Sequence, residues 1–125
     1  MSFLRSLFSA AAGGDIAPQD AQRAMADGTP IVDVREPGEF QAGAIPGAIN
    51  VPLGRIQQQG AEALSAAGVN VTDRDVILVC RSGARSGSAC AALQSALGER
   101  VRNLSGGVMA WAAAGLPLTP NGRQT

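Results

Sequence analysis

Residues 76–86 read Val76-Ile77-Leu78-Val79-Cys80-Arg81-Ser82-Gly83-Ala84-Arg85-Ser86. The first four are continuously apolar, which is typical of a strand buried on both faces of a parallel sheet. A helical period follows at residues 84–97, with Gly98 as a suitable stop. The apolar residues that share one face of this helix are Ala89, Cys90, Leu93, Ala96 and Leu97. The stretch therefore predicts a buried strand, a short loop that begins at Cys80, and a helix.

Short apolar runs and helical periods alternate on both sides of this unit. The elements predicted upstream are a helix from Pro18 to about Gly28, a strand at 31–34, a short helix near 36–40 and a weakly patterned helix within 53–67. Those predicted downstream are a strand at 101–104 and, after Gly106 and Gly107, a helix whose inward residues are Val108, Trp111 and Ala112. This alternation predicts an α/β fold with a parallel sheet covered by helices on both faces. Ligands of such sheets bind beyond the carboxyl ends of the strands, where Cys80 lies.

The composition excludes several function classes. Ten basic residues balance ten acidic ones, so we expect neither a nucleic-acid partner nor a clear membrane interaction. The chain has no His, which excludes a Ser/His/Asp triad, a Cys/His pair and most zinc sites. The two cysteines lie ten residues apart, which fits neither a redox pair nor a metal quartet, so we expect no metal site. So few cysteines favour a reducing compartment, and we expect a cytoplasmic protein.

Three segments are expected along the chain. Residues 1–14 form a tail or a short amphipathic helix, because apolar side chains recur there at helical spacing. A secretory signal is the less favoured alternative, since Arg5 interrupts a short apolar stretch. Residues 15–120 form one domain, and residues 121–125 form a C-terminal tail.

The loop after Cys80 favours an anion. Gly83 permits a positive φ that turns backbone N–H groups inward, and the free N–H groups of the following helix attract negative charge. Arg81 and Arg85 add positive charge. These features favour the thiolate, which is the reactive form of cysteine. We therefore predict a small electropositive pocket that keeps the Cys80 sulfur anionic and reachable, rather than a thiol that only packs in the core.

Other residues receive structural interpretations. Cys90 shares an apolar helix face and is expected to be a packed core thiol, with a resolving role toward Cys80 as the less favoured alternative. Gly106 and Gly107 are expected to permit close backbone packing. Arg35 is expected to pair with Glu39 or Glu36 and so tie its strand to the next helix.

Four segments together resemble the rhodanese family. They are residues 31–40, residues 43–53, the Cys80 loop and residues 103–111, within a match that spans about Ile16 to Pro117. The resemblance implies a rhodanese-like fold, with a five-stranded, mainly parallel sheet and helices on both sides. It also implies that no metal or organic cofactor is needed. Ala44 stands where the family usually has His, and we expect this to remove local hydrogen bonding rather than the chemistry.

The resemblance also assigns roles around Cys80. The cysteine takes a sulfane sulfur from a donor such as thiosulfate, becomes a persulfide and passes the sulfur to cyanide, a thiol or a protein relay partner. Asp33 and Arg35 would lie near the edge of the site, and Arg85 or Arg81 would steer the anionic donor. The residues expected to bind the substrate are Arg81, Ser82, Gly83, Ala84, Arg85 and Ser86.

Two other functions remain open. Phosphatases and arsenate reductases of this fold have a longer Cys-x5-Arg loop, whereas here Arg85 follows after four residues and Ser86 takes the later position. The shorter loop is expected to be too tight for phosphate and suited to a single sulfur. A binding or sulfur-relay module without independent turnover is the second alternative, although many such modules lack the cysteine that this chain retains.

Overall fold

The computed structural model describes residues 14–120. The predicted tails, residues 1–14 and 121–125, lie outside the described residues except for Gly14, whose carbonyl accepts a hydrogen bond from the Asn103 N–H. The elements are, in chain order, β1 (Asp15–Ile16), α1 (Pro18–Ala26), β2 (Ile31–Asp33), α2 (Pro37–Ala42), β3 (Gly43–Ala44), β4 (Ile49–Asn50), α3 (Leu53–Gln59), α4 (Ala61–Ala66), β5 (Val76–Val79), α5 (Ala84–Leu97), a 3-10 turn (Gly98–Arg100), β6 (Val101–Leu104), α6 (Gly107–Ala113) and β7 (Thr119–Pro120).

The main sheet has five strands in the order β1-β6-β5-β2-β4, and each neighbouring pair is parallel. A small antiparallel pair, β3 with β7, lies outside it. Strand β5 is central, and its successive side chains point to opposite faces. Val76 and Leu78 belong to one core cluster, whereas Ile77 and Val79 belong to the other. This arrangement explains why the strand is apolar at every position, and it confirms the predicted parallel sheet.

Helices cover both faces of the sheet. On one side, α3, α4 and α5 contribute Ile56, Leu64 and Leu93 to the core. On the other side, α1 and α6 contribute Ala21 and Trp111. Because both faces are covered in this way, the site is confined to the edge at which the parallel strands end. No helix between residues 14 and 120 is long and apolar enough to cross a bilayer.

Three details differ from the sequence prediction. Ala96 and Ala112 are exposed, because the buried stripe of each helix passes through their neighbours Leu97 and Trp111, about 100° away around the helix. The helix predicted within residues 53–67 is two helices, since Gly60 adopts a φ of 64° between them. Strands β1, β3, β4 and β7 have two residues each and were not predicted as strands.

Candidate active site

Cys80 directly follows β5, and α5 begins four residues later at Ala84. Gly83 caps that helix with a φ of 110°, the left-handed conformation that glycine favours. Helix α6 fastens the loop from the other side, because the N–H groups of Val108 and Met109 donate to the carbonyls of Cys80 and Arg81 at 2.8 and 3.1 Å. The loop is therefore held between the starts of two helices.

Close approach of α6 to the loop requires glycine at position 107. A Cβ on Gly107 would lie 2.4 Å from the Arg81 carbonyl oxygen and 2.5 Å from the Cys80 carbonyl oxygen. Its φ of 65° also disfavours any side chain. The prediction of close backbone packing is thus confirmed for Gly107, whereas a Cβ on Gly106 would meet the Ala110 side chain at 2.5 Å.

The loop turns its donors toward the Cys80 sulfur. The Gly83 N–H donates to Sγ at 3.1 Å, and the Ser86 hydroxyl lies 3.4 Å from the same atom. Cys80 itself is only 1% exposed. The expectation of a readily reachable sulfur is therefore wrong in part, because the sulfur lies below the surface while the inward amides are as predicted. Arg81 and Ser82, the next two residues, are exposed.

Opposing effects determine the ionisation of Cys80. Burial raises the pKa of the thiol, since a charged sulfur loses solvation. The Ser86 hydroxyl and the backbone N–H groups of Ser86, Gly83 and Ser82 act in the opposite direction. These hydrogen bonds outweigh burial, so the pKa of Cys80 lies below its ordinary value. The loop thus favours the thiolate by hydrogen bonding to it.

Asn103, at the carboxyl side of β6, completes the surroundings of this sulfur. Its Oδ1 lies 2.6 Å from the Oγ of Ser86, and its Nδ2 donates to the Gly83 carbonyl at 3.1 Å. Asn103 was not predicted to be a site residue. Its position near the end of the strand beside β5, and at the start of the fourth segment of the resemblance, is the signal that could have identified it.

Arg85 and Glu39 form an ion pair that joins α5 to α2. Both terminal nitrogens of Arg85 bind the Glu39 carboxylate, at 2.7 and 2.9 Å. Hydrogen bonding to Arg85 is the main reason that the pKa of Glu39 is lowered to about 2. The predicted donor-steering residue Arg85 is therefore engaged by a carboxylate. The Arg81 side chain, by contrast, makes no ion pair or hydrogen bond within residues 14–120.

Arg35 pairs with Asp33 rather than with Glu39 or Glu36. Its Nε and Nη2 contact the two carboxylate oxygens at 3.0 and 2.8 Å, and Nη2 also donates to the Gly43 carbonyl at 2.8 Å. Side chains two residues apart on extended backbone share a face, which explains the choice of partner. Both residues are buried, and neither side chain is hydrogen-bonded to the Cys80 loop within the described residues. The predicted pairing of Arg35 was therefore wrong. The Asp33–Arg35 pair instead stabilises the end of β2, next to the site.

The family model of the rhodanese-like domain matches residues 17–114. The chain belongs to the rhodanese-like family.

Relatives and solved structures agree with this assignment. A sulfurtransferase of Allochromatium vinosum is 44% identical to the rhodanese-like chain over 88 residues, covering 70% of this chain and 76% of the relative. Thiosulfate sulfurtransferase 18 of Arabidopsis thaliana is 33% identical over 106 residues, covering 78% and 77%. The crystal structure of a rhodanese-related protein from Thermoplasma volcanium matches with a TM-score of 0.66 at 25% identity, covering 84% and 96%. Other curated relatives are longer, and the chain covers 50%, 59% and 54% of three of them. Together these matches support sulfur transfer as the general activity.

Ala44 marks a departure from the rhodanese-like pattern that the structure accommodates. The residue is fully buried in β3. Its N–H donates to the Thr119 hydroxyl at 3.2 Å, and that hydroxyl donates back to the Ala44 carbonyl at 3.1 Å. Thr119 of β7 therefore satisfies the local backbone without an imidazole.

Cys90 is a core thiol of the rhodanese-like domain, as predicted. It is 9% exposed and packs in the cluster on the α5 side of the sheet. Burial, with a smaller contribution from the charge of Asp15, raises the pKa of Cys90 to about 12. It borders a cavity of about 200 Å³ between α5 and the β1–β6 edge. Cys80 and Cys90 are both free thiols, and only Cys80 is surrounded by donors that favour its ionisation.

Proposed function

We propose that the chain transfers a sulfane sulfur through a persulfide on Cys80. The observation that carries the proposal is the ring of donors around one sulfur, with the Gly83 N–H at 3.1 Å and the Ser86 hydroxyl at 3.4 Å. These donors and the start of α5 favour negative charge on the cysteine. The loop amides and the start of α5 also suit a persulfide, whose negative charge lies on its outer sulfur. One loop therefore serves both the free and the loaded enzyme.

Loading begins with the Cys80 thiolate and thiosulfate. The thiolate attacks the outer sulfur of the donor, a new sulfur–sulfur bond forms, and the donor's own sulfur–sulfur bond breaks. Sulfite leaves with the electron pair of the broken bond. The charges on sulfite and persulfide equal those on thiosulfate and thiolate, so the step needs no oxidant and no proton.

Discharge regenerates the thiolate. A nucleophile such as cyanide attacks the outer sulfur of the persulfide, and the bond between the two sulfurs breaks in favour of the Cys80 sulfur. Thiocyanate leaves, and Cys80 is again anionic. A thiol acceptor, free or on a partner protein, follows the same course with transfer of the outer sulfur. The hydrogen bonds that lower the pKa of Cys80 make it a better leaving group.

Arg81 is the cation that we assign to donor attraction. Arg81 is exposed and adjoins the cysteine, whereas Arg85 is held by Glu39. A doubly charged donor is attracted by a cation that has no carboxylate partner more strongly than by one in an ion pair. From the sequence, either Arg85 or Arg81 could steer the donor, and the ion pair of Arg85 with Glu39 favours Arg81.

Mass spectrometry tests the loading step. After incubation with thiosulfate and removal of the excess, the wild-type chain is expected to gain the mass of one sulfur. Cys80→Ala should gain none, whereas Cys90→Ala, the matched control, should gain one like the wild type. An unmodified wild type would favour the binding module. Turnover of p-nitrophenyl phosphate that Cys80→Ser abolishes would favour the phosphatase.

A further inference from the structure

The hydroxyl hydrogen of Ser86 has three possible acceptors within reach. The residue is fully buried, so bulk water does not compete for its hydroxyl. Its Oγ lies 2.6 Å from Asn103 Oδ1, 3.4 Å from Cys80 Sγ and 3.4 Å from the Gly83 carbonyl oxygen. A serine hydroxyl donates a single hydrogen. The hydrogen therefore has to be given to one partner at the expense of the others, and Asn103 is the nearest.

The orientation of Asn103 is set by a separate contact. Its Nδ2 donates to the Gly83 carbonyl at 3.1 Å, which leaves Oδ1 directed at Ser86. The backbone of Asn103 is held in β6 by pairing with β5 and β1 on either side. The carboxamide oxygen is thus a fixed acceptor rather than a group that can turn away.

We propose that Asn103 is a positioning residue that acts on Cys80 through Ser86, holding the Ser86 proton while Sγ is uncharged and yielding it to Sγ when Cys80 is a thiolate. This inference rests on the proposed function, because it concerns the sulfur that would carry the transferred atom. Asn103 touches neither the sulfur nor the substrate in this scheme. Its effect passes entirely through the direction of one hydroxyl.

The exchange follows from acceptor strength. A neutral thiol is a weak acceptor, so Ser86 donates to the carboxamide oxygen. When Cys80 ionises, its proton passes to solvent, and the sulfur becomes a charged acceptor that binds a donor about twice as strongly as a neutral one does. The Ser86 hydroxyl then rotates to the sulfur, and the Asn103 oxygen loses its donor. In the persulfide the charge moves to the outer sulfur, and the hydroxyl is free to return to Asn103.

In this scheme Asn103 raises the pKa of Cys80. By accepting the Ser86 proton it stabilises the uncharged sulfur, so it opposes ionisation of the free enzyme. It also favours the loaded enzyme, in which Sγ is again uncharged. Asn103 therefore affects the relative stability of the free Cys80 thiolate and the persulfide.

The charged groups near Asn103 and the loop lie on several elements. Asp15 of β1 pairs with Asn103 in the sheet and lines the same cavity. Arg81 lies on the loop itself, Arg85 of α5 is paired with Glu39 of α2, and Asp33 of β2 is paired with Arg35. Helix α6, which packs against the loop, carries no charged side chain. A change at Asn103 that removes only its carboxamide therefore acts on Cys80 without altering these ion pairs.

A double-mutant cycle tests the proposal through the ionisation of Cys80. The four proteins are the wild type, Asn103→Leu, Ser86→Ala and the double variant, and the readout is the rate of iodoacetamide alkylation of Cys80 against pH. Trypsin separates the two cysteines for mass spectrometry, because Arg81 and Arg85 lie between them. Asn103→Ala replaces the leucine variant if the latter does not melt cooperatively.

The expected result is a dependence of the Asn103 effect on Ser86. The replacement of Asn103 should lower the pKa of Cys80 more when Ser86 is present than in the Ser86→Ala background. The difference between the two shifts should correspond to about a tenfold change in the thiolate-to-thiol ratio. The contact of Asn103 with Gly83 is lost equally in both backgrounds, so the cycle removes it. Equal shifts in the two backgrounds would overturn the inference even if Cys80 loads sulfur. A coupled shift in a chain that takes up no sulfur would instead reject only the proposed function.

Discussion

Arg85 binds both carboxylate oxygens of Glu39, with nitrogen–oxygen distances of 2.7 and 2.9 Å, and so joins the first turn of α5 to α2. The helix that starts at the Cys80 loop is thereby anchored to the element that follows β2. An arginine that the sequence places in the substrate loop thus has a structural partner, and its charge is balanced there.

The Glu39 ion pair predicts a pH dependence of stability. Arg85 lowers the pKa of Glu39 from 4.5 to about 2. The ion pair therefore contributes to the free energy of unfolding above pH 4.5, and this contribution is lost as the pH falls toward 2. Both side chains are 36% exposed, and screening by water keeps this contribution to about 1 kcal/mol or less. Glu39→Gln should remove this part of the acid destabilisation in urea unfolding measured from pH 6 to 2. An unchanged pH profile would contradict the role of the pair.

Substitutions of Arg81 and Arg85 are predicted to affect different properties, the KM for thiosulfate and the melting temperature. Arg81→Ala should raise the KM for thiosulfate about tenfold, the loss of one charge-assisted interaction, with little change in melting temperature. Arg85→Ala should lower the melting temperature by releasing Glu39 and should change KM less. Steady-state kinetics and thermal melts of both variants check the assignment. The opposite ranking of KM values would return donor attraction to Arg85.

Gly107→Ala is predicted to disturb the Cys80 loop. The new Cβ would meet the carbonyl oxygens of Arg81 and Cys80 at 2.4 and 2.5 Å, and the φ of +65° adds strain. We expect a loss of more than about 2 kcal/mol in unfolding free energy, together with slower sulfur loading. Gly115→Ala is the matched control, because its φ is +82° and nothing lies within 4 Å of its Cβ. Equal losses in both variants would mean that strain alone, and not contact with the loop, explains the glycine.

Removing Arg35 from its buried pair with Asp33 is predicted to be strongly destabilising. Asp33 is fully buried, so Arg35→Met leaves its carboxylate without a cation and should cost about 3–5 kcal/mol in urea unfolding. Arg23→Met breaks an exposed ion pair with Asp20 and should cost about 1 kcal/mol or less. Similar values for the two variants would show that the buried carboxylate is compensated by another group.

Long, uniform patterns made most of the fold predictable. Strand β5 is apolar at every position because both of its faces are covered, and α5 has a helical period that continues to Leu97. Strands β1, β3, β4 and β7 have two residues each, which is too short for any periodicity. Their conformation is set by the strands that pair with them, such as β6 beside β1.

The site was predictable in part for the same reason. Residues 80–86 are contiguous, so their chemistry can be interpreted without knowing the fold. The partner of Arg35 was ambiguous, since Asp33, Glu36 and Glu39 are all within reach along the chain. Asn103 lies 17 residues from Ser86, and only the pairing of β6 with β5 brings the two together. Contacts that depend on tertiary packing are the ones that sequence reasoning missed.

A single-turnover measurement on Cys90→Ala tests most directly whether Cys80 alone carries the transferred sulfur. The protein is loaded with thiosulfate, freed of donor and mixed with cyanide, while intact mass and thiocyanate are followed. The chain is expected to gain one sulfur on loading and to lose it after cyanide, with one thiocyanate formed per chain. Two results would contradict the role of Cys80. One is a Cys90→Ala chain that stays unmodified, and the other is a double variant, Cys80→Ala with Cys90→Ala, that forms thiocyanate equally well.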